Sequence, residues 1–241
     1  MSNGQQNPNI AITTSSKVAT IFHGLQAASD EGSFFIATNA TPGTAIATTT
    51  SVVDDAATAS STHAQASPVM VITNNWSASD PLQKCIYLSY LKMLISQVPT
   101  SATSWQYAMR LDMNPTRITT QGTTITPVNP NSASSTLSKA AITFGAITTA
   151  LPTANGRLVA RGQVNSAVPV TLDQWFFNFG NPGVPMDLIS GGTGAKNVSI
   201  PCGPIVLAPG WSVTLEMWGA SNAAAPSWEF ELGYIERPAG Q

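Results

Sequence analysis

Charge is what this chain has least of: Asp, Glu, Lys and Arg make up 9% of its 241 residues, where ordinary soluble proteins carry about 25%. Thr, Ser, Ala and Asn fill the vacated positions, not Leu or Ile. Charge-driven disorder is thereby excluded, because disordered chains are charge-rich and poor in aromatics. This one is 43% hydrophobic and holds six tryptophans. Long Lys and Glu side chains lose much rotamer freedom when immobilised and are depleted from interface cores. A surface of short polar residues therefore suits a protein packed against copies of itself. It suits a heat-stable extracellular β-domain as well.

Basic clusters are also missing. The ten cations (Lys17, Lys84, Lys92, Arg110, Arg117, Lys139, Arg157, Arg161, Lys196, Arg237) are scattered, and the net charge is −2. No stretch offers the concentrated positive charge that displaces counterions from phosphates, so no nucleic-acid partner is expected. No run of 18 apolar residues occurs, so no membrane association is expected either. The opening Met1–Asn9 has neither the basic nor the apolar region of a secretory signal. Two cysteines, Cys85 and Cys202, fit no metal or redox spacing. Without an export signal the expected compartment is a reducing cytosol, and both thiols are expected to be free. On the same ground the sequons at Asn39, Asn75 and Asn197 are read as coincidences of composition.

Catalytic groups are equally thin. His23 sits in a strand pattern and His63 in an Ala/Ser loop, each without a carboxylate or cysteine companion. Asp54 and Asp55 are adjacent in an Ala-rich loop, not held as acid/base work requires. Glu229 and Glu231 share a strand face and could flank a sugar at the roughly 5 Å spacing of retaining glycosidases, yet alternating Glu on a strand is first of all a solvated face. Gly191–Lys196 is superficially like a phosphate loop. Its lysine does not follow the last glycine directly, Asn197 replaces the Ser/Thr, and no helix pattern follows. No calcium or zinc ligand set can be assembled. No catalytic, metal or cofactor-binding residue is expected, and the chain is not expected to be an enzyme.

What is present reads as β-structure. Surface scaling gives roughly 10,000 Å² folded against roughly 36,000 Å² extended, ample for an unaided core. Residues 1–16 read as an extended polar N-terminal arm, and 17–241 as a single β-sandwich domain with an Ala/Thr/Ser-rich excursion at 39–67 carrying one weak strand around Ile46. Strands are expected near Val18–Phe22, after the turn at Asp30–Gly32, and at Val69–Thr73. Lys84–Ile95 is compatible with a helix face but fits a long strand better, paired antiparallel with Trp105–Asp112. Prolines 115, 127 and 130 make 114–138 an ordered loop with weak pairing. Further strands are expected at Ala140–Thr148, Gly156–Gly162, around Trp175–Phe179, and at Val198–Leu207.

The last third is clearest. Trp211, Val213, Leu215 and Met217 share one face; Trp228, Phe230, Leu232 and Tyr234 share another, with Glu229, Glu231 and Gly233 opposite. These read as a hairpin buried on one side, with Trp211, Val213, Leu215, Trp228, Phe230 and Leu232 in the core. Some eight to ten strands, with no convincing helix and no internal repeat, imply an all-β, jelly-roll-like sandwich of two sheets.

The stretch Val98–Asp112, followed by Thr126–Asn131, Arg157–Arg161, Pro204–Gly210 and Trp228–Arg237 in the same order, resembles structural proteins of tailed-bacteriophage virions. The resemblance covers roughly residues 70 to 237 and implies a virion role and a jelly-roll-like fold. It transfers no catalytic residue. Three functional classes then follow. The first is a capsid decoration (cement) protein on the capsid exterior, made in the host cytoplasm, a homotrimer that bridges subunits of the major capsid protein. The second is a head-fibre or receptor-binding tail domain, in which exposed tryptophans such as Trp76 and Trp105 stack on sugars. The third is a carbohydrate-binding or adhesive β-domain.

Overall fold

A computed structural model of the chain describes residues 10–12, 19–21, 24–48, 67–98, 105–113, 118–149, 156–165, 170–180, 186–187, 197–219 and 226–238. In chain order the elements begin with β1 (Ile10–Ile12), β2 (Ala19–Ile21), α1 (Gly24–Asp30), β3 (Phe34–Thr38), β4 (Ile46–Ala47) and β5 (Met70–Asn74). The middle holds β6 (Lys84–Gln97), β7 (Trp105–Asp112), β8 (Ile118–Thr120), β9 (Thr123–Ile125), β10 (Ala140–Phe144) and β11 (Thr148–Thr149). Then come β12 (Arg157–Asn165), β13 (Gln174–Phe179), β14 (Met186–Asp187), β15 (Asn197–Cys202), β16 (Val206–Leu207), β17 (Ser212–Gly219) and β18 (Ser227–Pro238).

The fold is an all-β sandwich. One sheet has the order β12-β7-β17-β5-β10-β9. The other is eight-stranded, β14-β15-β13-β6-β18-β3, with β16 attached to β6 and β4 to β18. In the six-stranded sheet β17, late in the chain, inserts between β5 and β7, a long-range return of the kind Greek-key windings use. In the eight-stranded sheet β13 and β15 run parallel, whereas jelly rolls are built from antiparallel strands.

Strand β6 shows why the sandwich forms. Ile86, Leu88, Leu91, Met93 and Ile95 are buried, while Tyr90, Lys92, Leu94 and Ser96 on the other face are half-buried. Period-2 burial of this kind is unattainable on a helix, so the strand reading of 84–95 holds. Its expected partner does not. Strand β7 pairs with β12 and β17 in the opposite sheet, and β6 pairs with β13 and β18. Likewise β17 and β18 are not a hairpin: they belong to different sheets and face each other across the core. Alternation fixes which face a residue occupies, not which strand lies beside it.

The core joins both sheets. Trp105 of β7, Trp175 of β13 and Trp228 of β18 are fully buried, with ring centroids 5.5 Å apart for Trp105–Trp175 and Trp105–Trp228 and 6.3 Å for Trp175–Trp228. Phe144 and Phe230 stack at 3.9 Å. Such pairs add about 0.5–1.5 kcal/mol each beyond area burial. Val213, Leu215, Phe230 and Leu232 are in this core as expected. Trp211 is not: it precedes β17, is half-exposed, and lies under the Arg157 guanidinium at 5.3 Å. The outward face of β17 is buried as well, Thr214 and Glu216 included, so that strand is not buried on one side only.

Smaller departures have local causes. Helix α1 is only seven residues long, too short to leave a periodicity, and it ends where Gly32 and Ser33 donate to the Ser29 and Ala28 carbonyls. The strand expected over 140–148 breaks at Gly145, which holds φ +96°, and a Cβ there would lie 2.8 Å from the Ala47 carbonyl oxygen. In the 114–138 stretch the pairing is slight: β8, β9 and a single bridge from Val128 to Ile36. Strands β1 and β2 form a separate ribbon astride the expected arm boundary. Residues 39–48 dock on β18 through β4 and through Thr48, whose N–H donates to the Pro226 carbonyl.

Candidate functional site

The residues with chemical potential fall into three groups. His23, His63, Asp54, Asp55 and Gly191–Lys196 lie outside the described residues. The cysteines are free and buried. Burial pushes both thiols up; at Cys202 the Tyr107 hydroxyl, 3.9 Å from Sγ, partly offsets it. Among the described residues no three His, Cys, Asp or Glu side chains are grouped to hold a metal.

The remaining carboxylates are tied into the fold. Glu216 pairs with Arg110 at 3.1 Å, and Glu31 with Arg237 at 2.7 Å. Glu236 is buried: its Oε1 accepts from Ser138 Oγ (2.6 Å) and the Lys139 N–H (3.0 Å), and its Oε2 from Trp76 Nε1 (3.0 Å). The Glu229 and Glu231 pair is divided between separate tasks. Glu229 accepts from the Gly43 N–H and Ser96 Oγ, whereas Glu231 Oε1 accepts from Lys92 Nζ and the Tyr90 hydroxyl, both at 2.8 Å. Burial alone would raise the Glu231 pKa, but the Lys92 and Tyr90 hydrogen bonds and the Lys92 charge outweigh it and hold it below the ordinary carboxylate value. Both residues make contacts within the fold, Glu231 through Oε1. Asn39, in one of the sequons, is buried, donating to the Thr44 carbonyl and accepting from the Phe230 N–H.

Two surfaces stand out. The first is the outer face of the eight-stranded sheet. On the six-stranded sheet the outward Ala108, Thr214, Glu216 and Trp218 are buried, while Gln106 and Arg110 of β7 are half-buried. On this sheet the outward Tyr90, Lys92, Leu94, Ser96, Gln174, Phe176, Asn178, Glu229 and Glu231 are half-buried, the state of a sheet face open to solvent. Register aligns them: Phe176, Lys92 and Glu231 form one cross-strand row, Asn178, Tyr90 and Gly233 the next. A bulge, in which Ser89 has no partner between Tyr90↔Gly233 and Leu88↔Tyr234, keeps Tyr90 outward. Tyr90 stacks on Phe176 with centroids 5.8 Å apart and planes 20° from parallel.

The second surface is one end of the sandwich. Trp76 is half-buried, and the Lys84 and Lys139 ammoniums stand 5.7 and 5.9 Å from its ring centroid. Two residues before each lysine come Leu82 and Leu137, 73% and 83% exposed, the most exposed large apolar side chains described. The Asn74 side chain donates to the Lys84 and Leu207 carbonyls, and the Asn75 N–H to that of Lys139, which draws these loops together. Of the two tryptophans expected to be exposed, Trp76 is half-buried and Trp105 is a centrepiece of the core.

Sequence reasoning missed Phe176, which it read within a uniformly apolar block, and the exposure of Leu137, which has no periodic context. No family model matches the chain, and no curated protein or solved structure matches it.

Proposed function

We propose that the chain is a non-enzymatic structural protein of a tailed-bacteriophage virion: a decoration protein, a homotrimer with a jelly-roll-like sandwich, that bridges major capsid protein subunits from the capsid exterior. The observation that carries this reading is the high exposure of Leu82 and Leu137, each two residues before a lysine that stands over the Trp76 ring. Leu82 and Leu137 are the most exposed of the large apolar side chains described, and exposed apolar surface of this kind marks sites that a partner covers. The employment of Glu216, Glu231 and Glu236 in structural contacts and the likeness of the 70–237 segments to virion proteins support it as well. A closed ring of three suits the three-fold positions of a shell, and several contacts made at once turn modest ones into firm attachment.

Quantitative mass spectrometry of purified particles tests the reading. Hundreds of copies per virion are expected; a handful would replace it with a fibre or tail role. The double variant Leu82→Asp/Leu137→Asp is expected to lose capsid occupancy at least about tenfold while remaining folded. A second reading, a saccharide-binding domain of a fibre or adhesin, is favoured by one observation, the outward Tyr90–Phe176 pair.

A further inference from the structure

We infer that the open face of the eight-stranded sheet holds a binding site for a neutral saccharide, centred on Tyr90 and Phe176. The inference is independent of the decoration role, since it concerns a different surface from that of Leu82 and Leu137.

The shape comes first. A Cβ on Gly233 would lie 2.3, 2.7 and 2.9 Å from Tyr90 Cε1, Cζ and Cδ1, so the tyrosine ring lies flat across the glycine. The Phe176 ring is within 20° of parallel to the Tyr90 ring, with the centroids 5.8 Å apart. Nearly parallel rings on an open sheet face offer a π surface, the counterpart of the C–H face of a pyranose with equatorial hydroxyls.

Hydrogen-bonding groups surround that surface. Gln174, Phe176 and Asn178 alternate along β13 and so share its outward face. Neither amide has a hydrogen-bond partner among the described residues. Each carries a donor and an acceptor side by side, the pattern that adjacent hydroxyls of one sugar satisfy. On the far side Glu231 Oε2 has no partner among the described residues either, because Tyr90 and Lys92 both bind Oε1.

Charge selects the class of saccharide. Among the described residues Lys92 is the only cation at the platform, 5.2 Å from the Tyr90 centroid, and Glu231 neutralises it at 2.8 Å. Among the described residues the face has no cation left over for a uronate, a sialic acid or an acidic peptide, and its remaining charge is the Glu229 carboxylate, which the Gly43 N–H and Ser96 hydroxyl hydrogen-bond. It complements a neutral ligand.

The test uses the purified full-length protein on printed arrays of gluco-, manno-, galacto- and xylo-oligosaccharides, with sialylated and uronate oligosaccharides as anionic controls. Binding to one or more neutral families is expected, unchanged by 0.5 M salt, since neutral contacts are scarcely screened. Phe176→Ala and Asn178→Ala should each weaken it at least about tenfold, while circular dichroism and oligomeric state stay as in the wild type and Leu82→Asp leaves binding intact. Binding to no neutral saccharide, binding to the anionic controls alone, or binding that survives both Phe176→Ala and Asn178→Ala would overturn the site. So would a change of oligomeric state in Phe176→Ala, which would make the face a contact between copies.

Discussion

Replacing Glu236 by glutamine should be among the most damaging isosteric changes available to this protein. The carboxylate is 1% exposed and accepts three donors, from Ser138, Lys139 and Trp76. It thereby holds the end of β18 against the loops before β6 and β10. The Ser138 hydroxyl, donating to Glu236, accepts in turn from the Tyr234 hydroxyl at 2.6 Å and the Ala140 N–H at 2.9 Å. Glutamine fits the space but brings an NH₂ group, and both carboxylate oxygens face donors. If its oxygen serves Ser138 and Lys139, two charge-assisted bonds become neutral ones, a loss of about 1 kcal/mol each. The Trp76 indole N–H then meets an N–H, which costs about 1 kcal/mol more at a half-buried site. The total is about 3 kcal/mol, or roughly 6–12 °C in Tm for a chain of this length. Guanidinium denaturation with an unchanged m-value would read it directly. A double-mutant cycle with Tyr234→Phe should give a coupling of at least about 0.5 kcal/mol, since the two share Ser138. A Glu236→Gln loss below about 1 kcal/mol would refute the reasoning, by showing that the three donors do not depend on the charge.

Other expectations are simpler to check. Cys85 and Cys202 should be silent to thiol reagents in the native state, because burial raises both pKa values, and should titrate as two free thiols after unreduced denaturation. Glu231 has a lowered folded pKa, so its contribution is full above the unfolded carboxylate pKa and is lost as pH falls through the lower, folded one. Glu231→Gln should flatten that acid limb of the stability profile, by no more than about 0.5 kcal/mol because Lys92 and Glu231 are both over a third exposed. Gly233→Ala should lift the Tyr90 ring, costing about 1–2 kcal/mol in lost hydrogen bonding and stacking. The Tyr90 phenol, now raised chiefly by burial and then by Glu231, should in consequence titrate nearer its ordinary value, as read by ultraviolet absorbance.

How much of this was legible in the residues depends on the range of the interaction that decides it. Strand β18 was, because Trp228, Phe230, Leu232 and Tyr234 alternate without a break and alternation is a local property. Its neighbours were not. Nothing between Trp105 and Asp112 says that β7 pairs with β12 and β17 and not with β6, since pairing partners are chosen by the packing of the whole sandwich. Trp211 continues the alternation of β17 backwards past the point where the strand ends, so its pattern is right and its burial is not. Trp105 has the opposite history, a tryptophan following a polar loop that turns out to sit between two others in the core. In the outward platform the Gln174, Phe176, Asn178 alternation was present in the sequence, but Trp175 and Phe177 beside it made the segment look apolar throughout. The outlying exposure of Leu82 and Leu137 could not have been read at all, because loops carry no period.

The position of β18 also governs when the protein can acquire its shape. The strand lies between β6 and β3 and binds β4 as well, yet in chain order it follows every other described strand. During synthesis β3 and β6 leave the ribosome with the seat between them empty until residues 227–238 follow. Long-range pairings of this kind fold slowly and leave strand edges open meanwhile. The sheet therefore closes only once β18 has been made, so each closed sheet reports a chain translated through residue 238. A message cut short before codon 227 yields a chain with β6 unpaired on one side, a substrate for chaperones and proteases and not for assembly.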